Sequence, residues 1–317
     1  MTIVSENIDV TEMIHPEIKF ADISFGGGFG KDYFSGLSNS EVFDMIEKKQ
    51  QIVDFLADYV EKSGTKGLVL GLSGGVDSAL VASLAVQACS FMDEPIKVRL
   101  VLLHEDRNRD DYKRAKNYAE ILMAENHNVT VWNEVDNFSQ WILGSTSTFA
   151  DIKDHTGFAE VNLRSRLRMV YLYYIANSTN SLVVGTGNYL EDNILGFFTK
   201  YGDGGVDVGP IQRLMKSEVY LMAYANSVPL DILEAQPNDG LWEDDRNDSD
   251  QIGMTYREVE ELLNDMSTDK DGNVVLSNTK NMKKLGMVME RFNKNVHKMK
   301  PIPTPEMELK YKTLFEV

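Results

Sequence analysis

A single cysteine, Cys89, is all the thiol chemistry in 317 residues, so no internal disulfide framework can form and a reducing compartment is expected. It ends the apolar stretch Ala85-Val86-Gln87-Ala88-Cys89, where a small buried thiol is the expected role rather than a nucleophile. Basic residues are also scarce. Lys and Arg number 32 against 49 Asp and Glu, and the resulting net charge of −17 excludes the basic field that nucleic-acid or anionic-membrane binding requires. No run approaches the roughly 18 apolar residues of a membrane span. The opening Met1–Asp9 lacks the positive and apolar segments of a secretion signal, so a cytoplasmic location is the expectation.

What is present suits a globular chain. With 43% apolar and 26% charged residues, one large α/β domain or two small ones can bury a sizeable core. Residues 1–37 show no period and are expected to be an irregular N-terminal extension, with Gly26–Gly30 a flexible loop rather than a dinucleotide fingerprint. From Ser40, apolar residues recur at helical spacing until Gly64. Strands are then expected at Lys66–Leu72, Ile96–Leu103, Asn128–Val135 and Ser181–Gly187. Helices alternate with them at Ser78–Cys89, Asp110–Asn126, Phe158–Asn177 and Lys216–Ser227. This alternation implies an α/β fold, a parallel doubly wound sheet with helices on both faces. After Pro229 no strand pattern continues, and a helical C-terminal part is expected, with helices at Tyr256–Leu263 and Lys284–His297. Between them, Thr268–Asn273 reads as a solvated turn, lacking the closing acid of a calcium loop.

The most informative string is Leu70-Gly71-Leu72-Ser73-Gly74-Gly75-Val76-Asp77-Ser78, between the first strand and its helix. Paired glycines let successive N–H groups converge on an anion, and the helix N-terminus behind adds partial positive charge. Ser73 and Ser78 add hydroxyl donors. No lysine follows the glycines, so this is not a Walker A loop. Asp77 stands there instead, and a carboxylate beside phosphates makes sense as a magnesium ligand. The string resembles the pyrophosphate-binding signature of the adenine-nucleotide α-hydrolases, also called N-type ATP pyrophosphatases, which split ATP between its α- and β-phosphates.

A second segment, Gly185-Thr186-Gly187-Asn188-Tyr189-Leu190-Glu191-Asp192, leads into Gly196-Phe197-Phe198-Thr199-Lys200-Tyr201-Gly202-Asp203-Gly204-Gly205-Val206-Asp207. Together with Asn162, Arg166, Arg168, Met169 and Tyr173 it closely resembles the NAD synthetase signature. The resemblance implies an ATP-pyrophosphatase domain over residues 38–317. Asp77 and Glu191 would bind magnesium, with Glu191 preferred over Asp192. Gly71, Ser73, Gly74, Gly75, Asp77, Ser78, Thr186 and Lys216 would hold ATP, a co-substrate. Tyr59, Arg166, Tyr173, Lys200, Asp203, Asp207, His297 and Lys298 would hold deamido-NAD. Lys200 and Lys216 would neutralise charge developing on the phosphates, and Asp207 or a nearby carboxylate would deprotonate ammonia.

The residues alone also admit plainer roles. Tyr171, Tyr173 and Tyr174 suit a core or interface stripe; Arg164, Arg166 and Arg168 suit a solvated face. His104 and His155 read as structural or exposed. Three departures from the family pattern stand out. The arginine expected after the second strand is missing, with Arg107 or Arg109 as substitutes. Asn238 replaces a threonine. The Thr186–Glu191 spacing is one residue longer than in many relatives. The chain has no room for the amidase domain of glutamine-dependent relatives, so free ammonia is the expected nitrogen donor. The resemblance also implies a homodimer. Competing readings are a pyrophosphatase adenylating another acceptor, such as a tRNA base or xanthosine phosphate, and a nucleotide sensor that has lost turnover.

Overall fold

The computed structural model describes residues 23–30, 32–34, 38–90, 92, 96–104, 106–135, 157–242, 244, 246–268 and 274–305. Helix α1 (Asn39–Ser63) begins at Ser38, whose hydroxyl caps Glu41 N–H while the Glu41 side chain caps Ser38, and ends at Gly64 in the left-handed region. Then follow β1 (Gly67–Gly71), α2 (Val76–Ser90), β2 (Lys97–His104), α3 (Asp110–Glu125), β3 (Val129–Val135), α4 (Phe158–Ser178) and β4 (Leu182–Val183). The four strands pair in parallel in the order β3-β2-β1-β4.

The sheet buries both faces, as continuous apolar strands require. Leu68 and Leu70 of β1 join the main core under α1 and α2, whereas Val69 points the other way, to a smaller core with Val101, Ile175, Ala176 and Val183 beneath α4. The chain reverses its winding direction between β1 and β4, so their carboxyl ends open a crevice of the kind where α/β sheets bind ligands. Strand β4 is shorter than its sequence suggests. After an isolated bridge from Val184 to Val208, Gly185–Gly187 leave the ladder and become cavity wall.

A π-helical turn spans Leu190–Leu195. It is followed by Gly196 in the left-handed region, whose N–H bonds back to the Glu191 carbonyl. Helices α5 (Lys216–Ala225), α6 (Leu230–Leu233), α7 (Asp248–Ile252), α8 (Tyr256–Asn264) and α9 (Met282–Asn295) complete the chain.

Two expectations are corrected. A two-stranded antiparallel ribbon, β5 (Met266–Thr268) with β6 (Val274–Leu276), follows Pro229 after all. Three-residue strands are too short to display a period. Of the solvated turn expected at Thr268–Asn273, residues 269–273 lie outside the described residues, as does His155. Nor is the Gly26–Gly30 segment a loose loop. Phe25, Phe29 and Phe34 are buried, Phe25 and Phe29 with ring contacts to Tyr220, and Gly26 N–H donates to the Leu233 carbonyl at 2.9 Å. A Cβ at Gly26 would stand 2.1 Å from the Ala235 carbonyl, so glycine is there for close approach.

Candidate active site

The crevice is a cavity of about 590 Å³, within the range of small-ligand sites. Its floor is the loop after β1. Ser73 N–H donates to Ser78 Oγ at 3.1 Å, the two hydroxyls lie 2.9 Å apart, and Gly75 N–H donates to Ser73 Oγ at 3.3 Å. Ser78 Oγ also reaches the Gly75 carbonyl at 3.1 Å. These bonds fold the loop on itself, with the Ser73 and Gly75 amides engaged by its own hydroxyls. Gly71, Ser73, Gly75, Asp77, Ser78, Thr186 and Lys216 all line the cavity.

Lys216 forms the electrostatic centre. Its ammonium sits 2.5 Å from Asp77 Oδ2 and 2.7 Å from Glu191 Oε1, and the residue is only 1% exposed. Asn188, fully buried, donates to Asp77 Oδ1 at 2.8 Å and fixes the carboxylate's orientation. Burial alone opposes a charge on Lys216, but the two carboxylates outweigh it and hold its pKa well above the ordinary value. Burial pushes the Asp77 carboxyl up, against the Lys216 ammonium.

Asp77 and Glu191 thus lie side by side in the cavity wall, bridged by one cation. Their hard oxygen donors are the residues that would hold a magnesium ion. Among the described residues no group of three or more His, Cys, Asp or Glu side chains forms a ready-made cage. Magnesium here would complete its shell with phosphate oxygens and water, as it usually does.

Residues 48–302 match the family model described as NAD synthase. The chain belongs to the NAD synthase family. It is 34% identical over 256 residues to the NH(3)-dependent NAD(+) synthetase of Methanococcoides burtonii, a match covering 80% of this chain and 93% of that one. Among solved structures it resembles the NMN synthetase of Francisella tularensis, with a TM-score of 0.68 and 31% identity over 83% of this chain and 99% of that one. It also resembles the NH3-dependent NAD synthetase of Campylobacter jejuni solved with a nitrate ion, with a TM-score of 0.60, 27% identity and coverage of 83% and 99%.

Set beside the NAD synthase motifs, the structure divides the expected residues into two groups. The first, Gly74 excepted, lines the cavity, as above. The second, Asp203 excepted, lies outside its lining. Tyr173 donates to Asp207 Oδ1 at 2.9 Å, and Val183 N–H donates to Asp207 Oδ2 at 2.8 Å. Both oxygens of Asp207 are therefore engaged at the sheet edge, not aimed at a reacting carboxyl. Lys200 is pinned to the His297 carbonyl at 3.1 Å, while Arg166 donates to the Lys200 carbonyl at 3.3 Å. Of the two lysines expected to clamp phosphates, only Lys216 is in the cavity.

Lys298 crosses to the Gly196 and Phe198 carbonyls at 2.8 and 2.7 Å, so the C-terminal segment docks onto the Gly196–Lys200 loop. Asp203 lines the cavity but spends one oxygen on Ser165 Oγ and Thr199 N–H, at 2.7 and 2.9 Å. Tyr59 lies on α1, 41% exposed, away from these groups.

Several cavity residues carried no motif. His104, expected to be structural or exposed, stands in the wall with Nε2 3.0 Å from the Ser73 carbonyl. A carbonyl only accepts, so Nε2 carries the hydrogen, and burial keeps the ring neutral by lowering its pKa. Arg164 and Arg168 share one face of α4 at i, i+4 spacing. They donate to the Leu241 and Gly240 carbonyls at 2.8 and 3.4 Å, tying that loop across the cavity. Arg166, on the opposite face, does not join them. Arg109 lines the cavity and pairs with Asp111 at 3.1 Å, whereas Arg107 is not part of the lining. Cys89 is buried with its thiol pushed up to about 12, an inert packing role.

Asp192 yields a first prediction. Burial, with the nearby charges of Glu191 and Asp203, pushes its carboxyl from 3.8 up to about 8. Between those values the folded chain keeps a proton that the unfolded chain has lost, so stability falls as pH rises through the window. Asp192→Asn is expected to stabilise by about 2 kcal/mol at pH 8, below the roughly 1.4 kcal/mol per pKa unit that full burial would give, and by almost nothing near pH 4. Thermal melts at both pH values check this; an equal gain at both would refute it.

Proposed function

We propose that this chain is an ammonia-dependent NAD synthetase, which uses ATP to convert the nicotinate carboxylate of deamido-NAD into the amide of NAD. The observation carrying this reading is the meeting, in one cavity, of the Ser73–Ser78 anion nest with the Asp77–Lys216–Glu191 cluster. The first suits the phosphates of ATP; the second suits the charge that develops when a carboxylate attacks phosphorus. Relatives named NH(3)-dependent NAD(+) synthetase support the same choice of nitrogen donor.

The nicotinate oxygen attacks the α-phosphorus of ATP, and the bond to the β,γ-diphosphate breaks. The loop amides and hydroxyls take up the departing pyrophosphate, and Lys216 supplies positive charge from the facing wall. Magnesium, held by Asp77 and Glu191, would add Lewis-acid neutralisation of the phosphates. Ammonia then attacks the acyl carbon and AMP leaves. The cluster therefore works by positioning and by fixed charge.

Tyr59, Tyr173, Lys200 and Asp207, outside the cavity lining, are assigned to the dinucleotide end of the acceptor. The exposed Phe43, Phe55 and Tyr59 on α1 and Val170 and Tyr174 on α4 support a homodimer that covers them. Among the described residues no helix is long and apolar enough to cross a membrane, and a cytoplasmic location is proposed.

The likeness to an NMN synthetase favours one second reading, in which the acceptor is nicotinate mononucleotide. One assay decides. Purified protein with ATP, magnesium and ammonium, given each acceptor in turn, is expected to form AMP and pyrophosphate with deamido-NAD at the higher kcat/KM. A preference for the mononucleotide selects the second reading. ADP as product overturns both.

A further inference from the structure

Buried polar atoms without a hydrogen-bond partner on the cavity wall include Oδ1 of Asp248, the hydroxyl of Tyr220 and Nδ1 of His104. Asp248 is the most telling. It is 6% exposed, yet it forms part of the wall of the main cavity and also of a pocket of about 10 Å³ behind it. That volume admits one water-sized particle. The pocket is bounded by Gly27, Gln236, Pro237, Thr255 and Tyr256 as well.

The rest of Asp248 is firmly held. Tyr256 donates its hydroxyl to Oδ2 at 2.7 Å, Asp248 N–H donates to the Pro237 carbonyl at 2.9 Å, and the residue opens helix α7. Tyr256 in turn lies under Lys216, whose ammonium is 4.8 Å from its ring centroid. One oxygen of a fixed carboxylate is thus left unmatched at a wall shared with the reacting groups. An unmatched buried carboxylate oxygen costs free energy unless a donor, best a cationic one, meets it.

We propose that Asp248 is the ammonium-binding residue, seating one NH4+ in the pocket against Oδ1. The inference rests on ammonia being the nitrogen donor. Ammonium suits this place on three grounds: it is water-sized, it is positively charged, and all its hydrogens are donors. At neutral pH nearly all free ammonia is ammonium, so a cation site collects the abundant form. The chemistry that follows is one proton transfer. Asp248 carboxylate takes a proton from NH4+, leaving a neutral carboxylic acid and NH3, whose freed lone pair attacks the acyl carbon. Burial, which lifts the Asp248 carboxyl to about 7, equips it to receive that proton.

Asp248→Asn keeps the shape and removes the charge. With ammonium as donor, its KM for ammonium is expected to rise about 10- to 100-fold, the range for losing a charge-assisted hydrogen bond. KM for ATP and for the nicotinate acceptor should stay within about twofold. The decisive arm replaces ammonium by hydroxylamine, which is uncharged at neutral pH and needs no cation site. Hydroxamate formation by the variant is expected to match wild type. If both nucleophiles fall together, Asp248 merely supports the loop and the proposal is overturned; it is overturned equally if neither falls.

Should the variant fail to fold, wild type decides. Potassium is expected to compete with ammonium and leave the hydroxylamine reaction unchanged, and absence of competition rejects the site. Wild-type protein that forms no amide from ammonium with any nicotinate nucleotide would instead overturn the proposed function.

Discussion

Lys216→Met is expected to reduce NAD formation at least 10²- to 10³-fold, the usual cost of losing one preorganised charge at a reacting centre. The same change should lower stability by about 3–5 kcal/mol, as breaking a buried ion pair from one side does. Both effects have one source. The ammonium is 1% exposed and lies within hydrogen-bond distance of two carboxylates that are themselves largely buried. Without it, Asp77 and Glu191 face each other uncompensated, and one of them must take up a proton. Methionine fills the volume but neutralises nothing. Lys216→Arg is no rescue, because a planar fork does not fit the space of a point charge between two fixed acceptors. Denaturant melts and a coupled NAD assay on the same preparation check both parts. More than a tenth of wild-type activity in the methionine variant would show that Lys216 is structural only.

Much of this arrangement is legible in the order of residues, and the reason is local. Ser73–Ser78 forms its nest through bonds between neighbours two to five residues apart, so string and geometry coincide. Strand β1 is a continuous apolar run, because both faces of a doubly wound sheet are covered at its centre. What escaped was set by distance or brevity. Asp248 and His104 reach the cavity only through the packing of separate elements, and nothing beside them in sequence marks them. Lys200 and Asp207 sit in the most recognisable string of all. Their side chains nevertheless serve the His297 carbonyl and the Tyr173–Val183 edge. A motif identifies which residues a family retains; only the fold says which of them meet. Arg164, Arg166 and Arg168 do not form the single solvated face expected of them, since i, i+4 spacing puts Arg164 and Arg168 on one helix side and leaves Arg166 off it.

Gly74→Ala tests the nest itself, with Lys216 and both carboxylates untouched. Gly74 has φ of 82°, in the region where a side chain is strained, and an added Cβ would stand 2.1 Å from the Asp111 carbonyl oxygen. Neither partner yields cheaply. The oxygen belongs to the first turn of α3, and the Gly74 carbonyl is held by Arg114 Nε at 3.2 Å. The loop must therefore retreat by about 1 Å or more, carrying its hydroxyls and its remaining amides out of register with a leaving pyrophosphate. A misplacement of roughly that size costs about 10²-fold in rate. The expected result is a loss of about 10²-fold or more in kcat/KM for ATP, with stability reduced by only about 1–3 kcal/mol, the cost of strain in one loop. ATP titrations and melts separate the two quantities. If catalysis and stability fell in proportion, the loop would be a scaffold element; a large catalytic loss in a chain that still melts cooperatively is what an anion cradle built from backbone amides requires.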